Sequence, residues 1–479
     1  MATALYERVA LRAGERVDGA SLAAWRVLIG VIMAVAHLRF VSEGWIDAFY
    51  VAPKLRFAYW GLEFVAPLSG PAMTALHLGL VGVGVALALG WRSRTMAALM
   101  ALGTAYSDAI DLTNYLNHHW LVVLLCGLAA TLPIGAAYSL DGRKRAGKRA
   151  HDDDDGDNDG DATVPALALW LLRAQVAVVY VFAAVAKMGP DWLLYGQPLN
   201  TWLVARADWP LLGPLFAYRE TAIVMSWTGM LYDLTIVGWL LWPRTRRAAF
   251  IVVLVFHTMT ALLFRIGIFP LLMTANATLF FASDWPRRLL GAATALIRPT
   301  TTTTTLPAPT RRIAAWPLAL AGLYLALQVA VPMRVLLYPG EVLWAEEGMR
   351  FSWRVMVREK HGDVTLRVRL ADGREVIEVP RRWLDARQAR EMASQSDLIL
   401  QLAHRVAADY RGRGHGDVAV FADAWVSLNG RAPQRMIDPN VDLAAEVDGL
   451  SAKRWILPAP SGPPAQLGLV AWTDARAGQ

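Results

Sequence analysis

The run VPALALWLLRAQVAVVYVFAAVAKM, from Val164 to Met188, decides how this chain is read. It is apolar over a length that crosses the roughly 30 Å hydrocarbon core of a bilayer, and its one cation near the far end is Lys187. An ammonium there is costly and either snorkels to the interface or does chemistry. A desolvated lysine gives up its proton readily and then acts as a general base. A lone lysine at a helix end is ordinarily the snorkelling kind, so its neighbours must decide.

Of 479 residues, 55% are hydrophobic and 18% charged, and the mean hydropathy is +0.34. Soluble proteins carry about 25% charged residues, so this is a polytopic membrane protein with soluble mass attached. Arg8, Arg12 and Arg16 precede a first apolar run near 22–40. That run is too long for a removable signal and lacks a small-residue cleavage site, so it reads as a first span. The pI of 9.6 invites a nucleic-acid partner, which is excluded because most basic residues flank apolar runs, where they set topology. The single cysteine, Cys126, rules out an intramolecular disulfide and reads as a packed side chain.

The expected fold is an α-helical polytopic membrane protein of about nine transmembrane helices with a C-terminal extracytoplasmic α+β domain. The spans fall near 22–40, 72–90, 95–110, 117–136, 165–188, 220–242, 247–264, 266–283 and 315–332. With the N-terminus inside, the inner segments hold 18 Lys and Arg against 6 outside, which favours a cytoplasmic N-terminus and an outer C-terminus. The transmembrane domain covers 1–332, with an acidic inner linker (141–163) and a Thr-rich inner linker (291–312); the outer domain covers 333–479. In that outer domain VTLRVRLADGREVIEV (364–379) alternates around Asp-Gly and predicts a hairpin. Residues 385–411 predict a helix and 418–430 another strand. The acidic linker lacks the glycine and glutamate positions of a calcium loop.

This topology gathers Lys187, Asn117, His118, His119, His257, His37 and His77 in the outer half of the membrane. A single intramembrane histidine is more often packed and hydrogen-bonded across helices, and His37 and His77 fit that description. A tyrosine or tryptophan at this depth is more often an interfacial belt residue. Arg173 and Asp233, set deeper, are expected to pair across helices. Metal binding by His118 and His119 is disfavoured, since adjacent helical residues point about 100° apart.

DLTNYLNHHWLVVLLCGLAATLPIGAAYSLD (111–141) resembles the DKTxxxNHxYL…WSxD region of vitamin K-dependent γ-glutamyl carboxylases. AAVAKMGPDWLLYGQPLNTWL (183–203) is similar to that family's AGxxKxxxDW segment, and 232–273 to its LDLxxGFLLF…FHxMNxxLFxIGMF run. EEGMRFSWRVM (346–356) and DAWVSLNGRAPQRMIDPNVDL (424–444) resemble EGYSWDMM and DxWVSxNxRxxQRxxDPxVD. The motifs recur in order from about residue 20 to about 460.

The resemblance implies a carbon–carbon lyase running as a carboxylase, with reduced vitamin K or menaquinol, O2 and CO2 as cosubstrates and no metal. A glutamyl γ-carbon is too weak an acid for any side chain. In the family a neutral lysine deprotonates the quinol, which reacts with dioxygen to give a base strong enough for the γ-proton. The carbanion takes up CO2 and the quinone leaves as an epoxide. By resemblance, the catalytic residues are Lys187 as first base, His118 in support of carboxylation and His257 near the quinone. Asn117, Phe269, Trp353 and Met356 would contact the quinone, and Arg206 the glutamate carboxylate. Partners would be a Glu-containing peptide or protein, the bilayer and the quinone, with no nucleic acid.

The chain departs from the animal enzymes in its short outer region, which ends soon after WILPAP (455–460), and in lacking their cysteine pair. Propeptide recognition is therefore not implied. The Ala-, Arg- and Gly-rich composition suggests a bacterial inner membrane and menaquinol. Two alternatives remain open. One is a quinol epoxidase without glutamate carboxylation. The other is a transporter-like protein, against which the lack of an internal repeat counts.

Overall fold

The computed structural model describes residues 2–143, 163–295 and 312–465. Most of the acidic linker and the Thr run at 300–305 lie outside the described residues. Helix α1 (Ala2–Gly14) leads into strand β1 (Arg16–Asp18) and helices α2 (Ala20–Ser42), α3 (Gly70–Leu89), α4 (Ser93–Ala109) and α5 (Asn117–Thr131). Strand β2 (Thr163–Pro165) pairs antiparallel with β1 and opens α6 (Ala166–Ala186). Then follow α7 (Arg219–Leu241), α8 (Arg246–Leu263), α9 (Phe269–Ala277) and α10 (Ala315–Met333).

Each of the nine expected apolar runs contains a helix, but six described helices are long and apolar enough to cross a membrane: α2, α3, α6, α7, α8 and α10 with its short extension. Helix α4 has 17 residues, α5 has 15, and α9 with its 3₁₀ turn ends at Phe280. The expected eighth span shortens because Phe264 turns extended and Gly267 takes φ +58°, which stops the helix before Phe269.

Where α2 and α3 cross, small residues set the distance. A Cβ on Gly84 would lie 2.8 Å from Ala34 N and Gly30 O, and one on Gly30 would lie 2.6 Å from Gly84 O. Backbones this close give the van der Waals packing that substitutes for hydrophobic driving force in lipid. Arg26, fully buried in α2, donates to the carbonyls of Ile134, Ala137 and Tyr138 at 2.9, 3.3 and 2.6 Å. It satisfies a turn that would otherwise bury bare carbonyls.

The C-terminal region carries a four-stranded sheet in the order β4–β3–β5–β6, with β3 (Lys360–Arg369), β4 (Glu375–Glu378), β5 (Ala419–Leu428) and β6 (Gln434–Arg435). The hairpin forms around Asp372-Gly373, where Gly373 has φ +84°. Val364, Leu366, Val368, Val420 and Ala424 alternate onto one face against Leu398, Leu402 and Val406 of α11 (Ser396–Gly412). The single helix expected over 385–411 breaks into Ala386–Met392 and α11. The break is forced at β3: a Cβ on Gly362 would lie 1.9 Å from Ala393 O, so the chain passes against the strand.

Asp191, in the turn after α6, clamps this region to the helices. Arg431 donates to both its oxygens at 2.6 and 2.8 Å, and Asn429 Nδ2 donates at 2.8 Å. Bidentate Arg–carboxylate pairs fix orientation as well as distance. Asp191→Ala should destabilise the folded chain by about 2–5 kcal/mol. Thermal unfolding in detergent, together with faster proteolysis between residues 333 and 360, checks this; an unchanged melting profile would rule out the clamp.

Candidate active site

Tyr180, Ala183 and Lys187 lie on one face of α6 and its C-cap, since residues three, four and seven apart share a helix face. Met225 and Asp233 of α7 and Phe256, His257 and Thr260 of α8 face them. Between the three helices is a cavity of about 90 Å³, bounded by Ile266 and Phe269 and, from the sheet side, by Val355 and Met356.

Lys187 does not snorkel. It is 6% exposed, and its Nζ donates to Asp233 Oδ2 at 2.8 Å and to Ala183 O at 3.3 Å. The Trp192 ring lies 5.3 Å from Nζ, and the indole is held by its bond to Ser226 O at 2.6 Å. The expected Arg173–Asp233 pair is absent. Arg173 instead donates to the carbonyls of Leu279 and Phe281 at 2.8 and 3.1 Å. The reason is geometric: at 1.5 Å per residue, Arg173 lies about 20 Å along α6 from Lys187, and Asp233 sits at the level of Lys187.

His257 Nε2 lies 3.1 Å from Tyr180 OH and 3.3 Å from Tyr232 OH, and the two hydroxyls are 3.2 Å apart. His257 Nδ1 is buried with no hydrogen-bond partner among the described residues. Phe256 stacks on Tyr232 at 3.9 Å. Sequence reasoning missed both tyrosines, treating tyrosine at this depth as belt. The available signals were the seven-residue step from Tyr180 to Lys187 and the adjacency of Tyr232 to Asp233.

Of the residues expected here, Lys187, His257, Phe269 and Met356 line the cavity. His118 lies behind Phe269, whose ring centroid is 6.4 Å from that of His118 and 6.2 Å from that of His257. The His118 side chain has no hydrogen-bond partner among the described residues, and Gly267 leaves room for it: a Cβ there would lie 3.2 Å from Nε2. His119 is bound to Asp108 at 2.8 Å. His37 and His77 face each other, Nδ1 to Nδ1 at 3.2 Å, away from the cavity.

Asn117 lines a second, polar cavity of about 290 Å³, where its Oδ1 accepts from Tyr115 OH at 2.9 Å. Met356 lines both cavities. Trp353 is fully buried among the helices without lining either. Arg206 follows the short helix Leu199–Val204, is half-buried, and lines neither cavity. The segment holding Trp353 and Met356 is strained: Glu346, Phe351, Trp353 and Met356 have φ of 62°, 64°, 58° and 58°. Such left-handed non-glycine residues persist only where their surroundings over-determine them, commonly at functional sites. Among the described residues, no group of three or more His, Cys, Asp or Glu is placed to hold a metal ion.

Two family models match this chain. The HTTM domain matches residues 15–285, and the lumenal domain of vitamin K-dependent gamma-carboxylase matches residues 314–462. The chain belongs to the vitamin K-dependent γ-glutamyl carboxylase family. No solved structure matches it.

Breaking one side of a buried ion pair costs about 3–5 kcal/mol, whereas replacing both partners by apolar groups is often neutral. Lys187→Met and Asp233→Leu should therefore each destabilise the chain, and the double variant should recover most of the loss. Thermal unfolding of the three variants decides it; simply additive losses would mean that the two groups are not coupled.

Proposed function

We propose that this chain is an integral-membrane carboxylase that converts peptide glutamate to γ-carboxyglutamate, coupled to oxygenation of a reduced naphthoquinone to its epoxide with O2 and CO2. The observation that carries this reading is a buried amine, Lys187, facing an apolar cavity beside an aspartate and an unsatisfied histidine nitrogen. The cavity suits a naphthoquinone ring. Its walls are Phe256, Phe264, Phe269 and Met273, and its polar atoms are few and gathered at Lys187, Asp233 and His257. The reduced quinone supplies, as cosubstrate, the electrons that activate dioxygen and thereby the basicity that glutamate requires.

The chain's own residues do the rest. Asp233, 2.8 Å away, takes up the proton that Lys187 sheds, leaving a neutral amine to accept the quinol proton. His257, steered by Tyr180 and Tyr232 through Nε2, offers Nδ1 to a quinol oxygen. Phe269 and Met356 bound the ring. The aromatic wall and the Val355–Met356 roof exclude water, which would quench both a strong base and a carbanion. His118, behind Phe269 and unpartnered, supports the carboxylation step. Asn117 acts from the second cavity and Trp353 by holding the roof segment. The topology proposed is about nine membrane crossings, a cytoplasmic N-terminus and the sheet domain outside, in a bacterial inner membrane using menaquinol. The domains divide near residue 332.

The test is purified chain in detergent with reduced menaquinone, labelled CO2 and a Glu-containing peptide. Label in the peptide together with epoxide supports the proposal; epoxide without label would mean quinol oxygenation alone. Lys187→Ala should lower both products by at least about a hundredfold, and full epoxidation by that variant would remove Lys187 from its role. His118→Ala should reduce label more than epoxide, whereas an equal fall in both would make the histidine structural.

A further inference from the structure

The second cavity is ringed by three arginines, two of which are spoken for. Arg350 pairs with Asp397 and donates to Gln395 Oε1 at 2.6 Å. Asp397 holds the Arg350 guanidinium above its ordinary range despite burial. Arg358 pairs with Glu346, which also binds Lys360 at 2.9 Å. Arg354 is different. It lines the cavity, is half-buried, and makes no hydrogen bond or ion pair with any described residue. Burial lowers its pKa and Glu341 is the acid that offsets this, yet a guanidinium stays charged at any working pH. Its partly desolvated N–H groups meet no acceptor among the described residues, and an anion in the cavity would complete them.

The cavity also has the right connections. Through Met356 it meets the cavity of Lys187, and Arg354 is two residues from Met356, so their backbones are at most about 7 Å apart. At Glu346, Met349 and Arg350 it meets a wider groove of about 720 Å³ that runs past Trp60 and Tyr338. Groove, polar cavity and apolar cavity adjoin in that order along the route a substrate would take toward the amine.

We propose that Arg354 is the receptor for the side-chain carboxylate of the glutamyl residue as a peptide substrate enters along this route; this rests on the carboxylase reading above. A guanidinium binds a carboxylate through two parallel hydrogen bonds, which orients it as well as holding it. The carboxylate lies one bond from the γ-carbon. Removing the γ-proton builds a second negative charge onto the same carboxylate unit, so a guanidinium there is worth more in the transition state than in the ground state. Arg354 itself forms no covalent bond and transfers no proton. The family pattern EGYSWDMM carries an aspartate where this chain has Arg354.

Binding without turnover tests it. The full chain in detergent, with no quinol, is titrated with an acetylated and amidated peptide whose one carboxylate is a glutamyl side chain, and with its Gln counterpart. The unsubstituted chain should prefer the Glu peptide at least tenfold. Arg354→Gln should lose that preference, and Arg354→Lys should keep part of it, with unfolding profiles matching the parent. Equal preference in the parent and Arg354→Gln overturns the assignment, as does a loss in Arg206→Gln with none in Arg354→Gln. Failure of the parent to bind the Glu peptide overturns it too. Preference through Arg354 without label incorporation in the turnover assay would leave the receptor standing and remove the carboxylation step instead.

Discussion

The pair between Lys187 and Asp233 is the constraint around which the helices are arranged. An amine and a carboxylate this deeply buried are tolerated only together, and holding them 2.8 Å apart fixes α6 against α7 in both rotation and register. Once that register is set, Tyr180 and Tyr232 must face each other two turns and one residue away, and His257 of α8 completes the triangle. Trp192 extends the same constraint beyond the helix end, with its ring against the amine and its indole N–H bonded to α7. The cavity wall is therefore a consequence of one buried ion pair and its hydrogen-bonded neighbours.

The sheet domain bears directly on the amine. Asp191 is four residues beyond Lys187 and is gripped by Asn429 and Arg431, so the turn that ends α6 is anchored outside the helices. The same domain feeds in the strained segment from Glu346 to Met356, which roofs the cavity. Phe351 N donates to Tyr115 OH at 2.7 Å and that tyrosine donates to Asn117, so the segment is tied to the start of α5, where His118 lies. Motifs far apart in sequence thus meet at one joint. The matched lumenal-domain model, which begins at residue 314, spans that joint from the side of α10.

Much of this was legible in the sequence, for identifiable reasons. The apolar run ending at Lys187 and the Asp-Gly hairpin are local signals, and the structure carries both. Lys187, His257, Phe269 and Met356 were reachable because their motifs are contiguous. Asp233 was assigned the wrong cation because sequence order gives no register between two antiparallel helices; only the packed pair does. The eighth expected span is short because Phe264 and Gly267 bend the chain, a conformational event that a hydropathy reading averages away. Arg354 was invisible as a candidate, since what distinguishes it from Arg350 and Arg358 is that no described residue forms a hydrogen bond or ion pair with it, which is settled only in three dimensions.

The separation of His118 from Lys187 by Phe269 has chemical logic under the proposed function. The base that starts the reaction needs a dry, apolar setting, while CO2 capture and glutamate entry need polar groups and access. An aromatic ring between His257 and His118, 6.2 and 6.4 Å from each, lets the two settings adjoin without merging. Because Gly267 carries no side chain, the chain can lay that ring over His118 at all: a Cβ would sit 3.2 Å from the imidazole, at a φ that side chains rarely adopt. The boundary between the two environments therefore depends on a glycine, and it lies in the same short stretch that keeps α9 from extending into a longer helix.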